Sequence, residues 1–408
     1  MYQNAAVLAL FLLLYSAVSG RIGRSWLSGP IVFTAGGVIL GPQGLDMLRL
    51  NVGAEGLRLL AEAALAMVLF TDAANADFAV VKRNLRIPGR LLLIGLPLTI
   101  VLGFLIAKIV FPGLHPLEMA LLAAMLAPTD AALGKPVVTN RAVPAPVRES
   151  LNVESGLNDG ICVPVVVILL WLAVGTQNEG YAPAYMARVV AEAIGIGAAV
   201  GLALTAGATL LLRAGVKLNW ISEDWIEVPV VAVAAASYAG AQAIGGSGFI
   251  ACFTGGLLVS WLAPRRKHDL LRGAEGIGET LSLLTWVAFG ALGVGEMLGR
   301  LTLSVLLYAV LSLTVIRMLP VLLCLAGTGL TEASKLFIGW FGPRGLASIV
   351  FVIIAINEHL PGNDTLEAVV VATVLLSLVA HGVSANPLVS ALRMRPGGAV
   401  EGERPSSP

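Results

Sequence analysis

Apolar segments of membrane length follow one another along this 408-residue chain from one end to the other, and that repetition leaves few folds open. A helix needs about 20 apolar residues to cross a bilayer, and in hydrocarbon its backbone polar groups must be satisfied internally. Thirteen such segments are predicted, near 5–22, 26–42, 54–76, 88–110, 116–138, 149–175, 184–212, 226–243, 247–263, 274–298, 300–325, 334–357 and 364–391. The second, eighth and ninth are short and Gly-rich. Gly20-Arg21 leads straight from the first segment into the next, with no basic region before it, so it reads as a span rather than a leader. Only 12% of residues are charged, against about 25% in a soluble domain. A soluble enzyme, a disulfide-stapled domain and a disordered chain are thereby excluded. The balance of 26 Lys+Arg against 25 Asp+Glu gives no basic excess for nucleic acid. Cys162, Cys252 and Cys324 lie in apolar runs and read as small buried hydrophobes, and the four His are too scattered for a metal motif. No resident cofactor is expected.

The basic residues orient the segments. Most of them fall in alternate loops: Arg21 and Arg24; Lys82, Arg83, Arg86 and Arg90; Arg141 and Arg148; Arg213 and Lys217; Arg265, Arg266, Lys267 and Arg272; Lys335, with Arg317 somewhat inside its helix; and Arg393, Arg395 and Arg404. The opposite loops 111–117, 176–183 and 358–363 contain no Lys or Arg. The positive-inside rule places the N-terminus outside the cell membrane and the C-terminus in the cytoplasm. The Pro-, Gly- and Ser-rich stretch 395–408 reads as a short disordered tail.

Two halves of the chain echo each other. Phe33-Thr34-Ala35-Gly36-Gly37 returns as Phe253-Thr254-Gly255-Gly256, and Ala54-Glu55-Gly56 as Ala274-Glu275-Gly276, both at an offset of 220. The breaks at Ala127-Pro128-Thr129-Asp130 and Phe341-Gly342-Pro343-Arg344-Gly345 have prolines 215 apart. Each pair is seven segments apart, which inverts it across the membrane, as in many secondary transporters. The bland alternative is that Gly-rich membrane helices resemble one another because small residues permit close packing.

Charge inside the segments points to the site. Proline removes an amide donor and frees a carbonyl, and Pro128 is followed by a hydroxyl and a carboxylate, Thr129 and Asp130. Asp130 is expected to work mainly as an electrostatic cap at the break, with Thr129 and backbone oxygens nearer an ion. The sixth segment opens with Glu154-Ser155-Gly156-Leu157-Asn158-Asp159-Gly160. There Ser155 and Asp159 stand one turn apart on one face, with Glu154 and Asn158 beside it. Unpaired carboxylates at such depth are costly and normally functional. Asp159 can bind a monovalent cation together with hydroxyl oxygens, or hold a proton, and the two ligands compete. Arg344 needs a carboxylate partner, for which Glu154 is the first candidate and Asp130 the second. If Glu154 is neutralised in that way, Asp159 alone carries the exchanged charge, and exchange is electroneutral. Asp72, Asp77 and Glu62 of the third segment either reach this site or mark the interface. His381 and Asn386 read as packing or hydrogen-bonding residues, and Glu118, Glu192 and Glu332 as interface charges.

These motifs resemble those of the monovalent cation:proton antiporter-1 family, the NhaP-type sodium/proton exchangers. The resemblance lies in Glu154 to Gly160, in Pro128-Thr129-Asp130, in Gly342-Pro343-Arg344-Gly345 and in the opening Gly41-Pro42-x-Gly44-Leu45. It implies an all-α fold of thirteen spans with two crossed discontinuous helices, and a homodimer. It further implies an ion-binding bundle, from helices near 54–175 and 274–391, that moves against a dimerisation side near 5–42 and 184–263. By motif correspondence Asp159 carries the cation and proton, Thr129 and Ser155 supply oxygen ligands, and Glu154 pairs with Arg344 while shaping the site. Asn158 stands where electrogenic relatives have a second Asp. Ala131 replaces the family's usual Pro after Thr-Asp, which predicts a gentler break.

The expected activity is exchange of Na⁺ or Li⁺ for H⁺, among membrane lipids. The alternatives are a K⁺/H⁺ exchanger on the same scaffold and, more distantly, a cation channel. No filter-like carbonyl run supports the channel, and no Ser–His or His-Glu-x-x-His constellation supports an intramembrane enzyme.

Overall fold

The computed structural model describes residues 2–22, 25, 27–49, 54–76, 86–138, 140, 142–177, 183–222, 225, 227–262 and 267–393. Arg24, Asp77, Lys82, Arg83, Arg141, Arg265, Arg266 and the 395–408 tail, all used above, lie outside the described residues. Every regular element among those described is helical. In order they are α1 (Tyr2–Ile22), α2 (Gly29–Leu40), α3 (Ala54–Asn75), α4 (Arg86–Val110), α5 (Pro116–Met125) and α6 (Ala131–Val138). There follow α7 (Ala145–Gln177), α8 (Pro183–Lys217), α9 (Val228–Ala243), α10 (Gly248–Leu262), α11 (Lys267–Ala288) and α12 (Val294–Arg300). The last are α13 (Leu303–Leu313), α14 (Val315–Cys324), α15 (Glu332–Trp340), α16 (Leu346–Asn357) and α17 (Asn363–Arg393). Seven stretches among the described residues are long and apolar enough to cross a membrane by themselves, and five shorter apolar helices accompany them. The chain is a multi-pass membrane protein.

Close backbone approach sets how these helices pack. A Cβ on Gly37 of α2 would lie 2.2 Å from the Val287 carbonyl oxygen of α11, and one on Gly256 of α10 would lie 2.3 Å from that of Phe70 in α3. The repeated Phe-Thr words align Gly256 with Gly36, the neighbour of Gly37, and each of these two contacts is made with the helix that follows in the other half. The repeat therefore has a packing counterpart, α2 on α11 and α10 on α3, of the kind small residues permit without Cβ–backbone collision. Cys162, Cys252 and Cys324 are buried free thiols.

Two interruptions organise the rest. Both fall where proline was read as a breaker: Leu126–Asp130 separates α5 from α6, and Phe341–Gly345 separates α15 from α16. Each is five non-helical residues long, so the first break is as complete as the second. The gentler break expected from Ala131 is not what forms, because Asp130 stabilises the new helix start in place of a second proline.

Candidate functional site

The site is built where the two breaks meet. Pro128 cannot donate to Ala124, whose carbonyl is taken instead by the Ala127 amide at 3.3 Å, and α5 stops. On the other strand of the crossing the Gly342 amide turns back onto the Trp340 carbonyl at 2.8 Å, and α15 stops. The crossing is tied by the Asp130 amide, which donates to the Pro343 carbonyl at 2.8 Å.

Charge is distributed by sign over three of the four helix ends. The Asp130 carboxylate accepts from the Leu133 amide at 3.2 Å and from the Leu346 amide at 2.9 Å, so one side chain caps the starts of both α6 and α16. An anion belongs at those positive dipole ends. The fully buried Arg344 does the converse: its Nη1 donates to the Ala127 and Pro128 carbonyls at 2.7 and 3.0 Å, beside the end of α5. Ser348 Oγ donates to the Met125 carbonyl at 2.7 Å. Both glycines of Gly342-Pro343-Arg344-Gly345 are required sterically. A Cβ on Gly345 would lie 1.9 Å from Asp130 Oδ2, and one on Gly342 would lie 2.3 Å from Arg317 Nε.

Against this crossing α7 presents its polar face. Thr129 Oγ1 lies 3.1 Å from Ser155 Oγ and accepts from Asn158 Nδ2 at 2.6 Å. All three side chains are buried, and Asp159 is only 7% exposed. Asp159 Oδ1 and Asn158 Oδ1 are buried with no hydrogen-bond partner among the described residues. The result is a cluster of hydroxyl, amide and carboxylate oxygens in a dry setting, a donor set suited to a hard cation. Asp72 of α3 belongs to this neighbourhood. A Cβ on Gly156 would sit 3.9 Å from the Asp72 carbonyl, and Asp72 and Asp130 both act electrostatically on Asp159. Among the described residues no group of three or more His, Cys, Asp or Glu could hold a metal ion.

One expectation fails. Glu154 does not pair with Arg344; its two oxygens accept from Nη1 and Nη2 of Arg317 at 2.5 and 2.8 Å, with both side chains buried. Arg344 is committed to carbonyls freed by the first break, and its backbone amide donates to Ser377 Oγ at 2.8 Å. Arg317 reaches Glu154 through the space that Gly342 leaves open. Arg317 is thus more than an orientation charge, and an arginine within the apolar run 303–324 is itself a signal of a buried polar contact. Glu62 turns elsewhere, accepting from Arg58 Nε and the Tyr238 hydroxyl, each at 2.7 Å. Glu118 is buried rather than interfacial, and accepts from the amides of Gly362 and His115 at 2.8 and 3.0 Å. His381 is buried and hydrogen-bonded, as read.

Two discontinuous helices thus cross at a buried acid and hydroxyl cluster inside an all-α membrane fold. The chain belongs to the sodium/hydrogen exchanger transmembrane family, whose model matches residues 6–391. It is 29% identical over 392 residues to the K⁺/H⁺ antiporter NhaP of Alkalimonas amylolytica, covering 95% of this chain and 66% of that protein. It is 26% identical over 380 residues to the K⁺/H⁺ antiporter NhaP2 of Shewanella sp. (strain MR-4), covering 93% of this chain and 64% of that protein. The chain thus spans about two thirds of the length of these curated relatives. Its fold is similar to that of the sodium proton antiporter MjNhaP1 from Methanocaldococcus jannaschii at pH 8. The TM-score is 0.77 at 20% identity, covering 93% of this chain and 98% of that one.

Proposed function

We propose that this chain exchanges a monovalent cation for a proton across the cell membrane, with K⁺ as the cation and Asp159 as the shared binding group. The observation that carries the proposal is the oxygen cluster of Thr129, Ser155, Asn158 and Asp159 at the crossing of two broken helices. Cation and proton compete for Asp159, while the hydroxyls of Thr129 and Ser155 replace part of the cation's hydration shell. Asp72 supplies a second carboxylate on the approach from α3. Asp130 holds the starts of α6 and α16, and Arg344 the end of α5.

The choice of K⁺ follows from the relatives named K⁺/H⁺ antiporters, which match over more than nine tenths of this chain. Exchange of Na⁺ or Li⁺ is the second reading, favoured by the likeness to the archaeal sodium proton antiporter. Electroneutral 1:1 exchange follows from the charge inventory. Glu154 is neutralised by Arg317, Asn158 is uncharged and Glu149 is exposed, so Asp159 is the buried carboxylate of α7 left to change its charge. The empty, ionised form is held back by the cost of carrying a bare charge across the bilayer. The wider arrangement proposed is thirteen crossings with the N-terminus outside, a homodimer in the cell membrane, and alternating access by movement of the broken-helix bundle.

Proteoliposomes with a trapped pH dye test this reading. K⁺-driven proton movement that ignores an imposed potential and vanishes in Asp159→Asn supports it. A response to Na⁺ or Li⁺ alone keeps the mechanism and changes the substrate. No cation-driven proton movement by folded protein rejects it.

A further inference from the structure

The second break is held from outside by a face of α17 to which the exchange reading gives no role. Ser377, His381 and Ser384 are spaced i, i+4 and i+7, so they line one side of that helix. The Arg344 amide donates to Ser377 Oγ at 2.8 Å. Ser377 Oγ is 3.1 Å from His381 Nδ1, and His381 Nε2 is 2.8 Å from the Trp340 carbonyl. Trp340 Nε1 in turn donates to Ser384 Oγ at 2.8 Å, and the His381 ring lies against that indole with centroids 5.3 Å apart. Ser377 is fully buried and His381 is 3% exposed.

Donors and acceptors assign the protons. Trp340 offers only a carbonyl oxygen, so Nε2 carries hydrogen. Nδ1 sits between the Ser377 hydroxyl at 3.1 Å, which accepts from the Arg344 amide, and the Ser377 carbonyl at 2.9 Å, so the ring is anchored to Ser377 through both oxygens. The chain therefore runs from an amide freed by the break, through serine and imidazole, to the last carbonyl of α15. It joins both edges of one break to a single turn of a neighbouring helix.

We propose that Ser377 and His381 are positioning residues. They fix the segment Phe341–Gly345 so that the Arg344 guanidinium stays on the Ala127 and Pro128 carbonyls and the Leu346 amide stays on Asp130, which in turn places Thr129 against Ser155. Both residues act through Arg344 and Asp130, not by contact with the ion.

The variants are Ser377→Ala, His381→Phe and His381→Gln. Phe keeps ring volume and removes both nitrogens, whereas Gln retains an amide donor for Trp340. Losing a hydrogen bond to a buried group corresponds to roughly a five- to hundred-fold change in a local equilibrium. Two readouts are used. Amide hydrogen exchange over 341–346 is expected to rise about ten-fold in His381→Phe and Ser377→Ala and to be largely restored in His381→Gln. In proteoliposomes the apparent KM for K⁺ is expected to rise at least about five-fold in the same two variants, with maximal rate changed much less. The transport readout rests on the antiport proposal; the exchange readout does not. If wild-type protein moves no protons in response to cations, the antiport proposal fails while hydrogen exchange still judges this one. Unchanged protection over 341–346 in both His381→Phe and Ser377→Ala overturns it. So does a fall in maximal rate and folded yield with KM unchanged, which is what a merely structural role produces.

Discussion

Replacing Arg317 tests the internal charge balance most directly. Arg317 and Glu154 are 2% and 3% exposed at their side chains and share two hydrogen bonds, at 2.5 and 2.8 Å. With charge centres about 4 Å apart and an effective dielectric of about 20, their attraction is about 4 kcal/mol. Arg317→Met removes that attraction and leaves the Glu154 carboxylate buried without its cation, for which the expected cost is about 3–5 kcal/mol. The double variant Arg317→Met with Glu154→Gln leaves no stranded charge, and most of that cost should be recovered. The assay is thermal unfolding in detergent for the wild type, both single variants and the double, read as a double-mutant cycle. A coupling below about 0.5 kcal/mol refutes the pairing, because independent sites add to within that margin. Strong coupling of Glu154 to Arg344 instead would restore the partner first read from the motif.

Three further outcomes follow. Gly345→Ala should cost about 3 kcal/mol, because its Cβ would fall 1.9 Å from Asp130 Oδ2; thermal unfolding checks this, and a neutral effect would mean the crossing is looser than described. Asp130→Asn keeps an oxygen but loses the charge that caps α6 and α16, and is expected to cost about 1–2 kcal/mol. In liposomes it should slow exchange without abolishing it, unlike Asp159→Asn. Thr129→Val removes the acceptor for Asn158 Nδ2 and one hydroxyl of the cluster; a rise in apparent KM for the cation of about ten-fold is expected, with the pH dependence of maximal rate preserved.

How much could be read without coordinates depended on range. The two breaks were legible because Pro128 and Pro343 act on their own helices, through a missing amide hydrogen that needs no partner to take effect. The face of α7 that carries Ser155, Asn158 and Asp159 was legible for the same reason, since helical spacing alone puts Ser155 and Asp159 one turn apart. The repeat was visible as words, but its meaning as reciprocal glycine contacts was not, because Gly37 and Gly256 each press on a helix from the other half. The role of Asp130 was half visible. Its cap on its own half-helix is local, whereas the second cap on Leu346 spans 216 residues.

By itself, then, the chain's pattern determined a helical membrane protein with two interrupted helices and an acid-bearing segment between them, because hydropathy, helix period and proline chemistry operate over a few residues. Tertiary structure alone decided which cation neutralises which acid. Glu154 and Arg317 are 163 residues apart, and both arginines are buried in the same region. Which one reaches Glu154 is settled by Gly342 making room for Arg317, and by freed carbonyls at the end of α5 that hold Arg344 elsewhere. Pairing of buried charge is a question of geometry at the crossing, and that geometry exists only once the helices have packed.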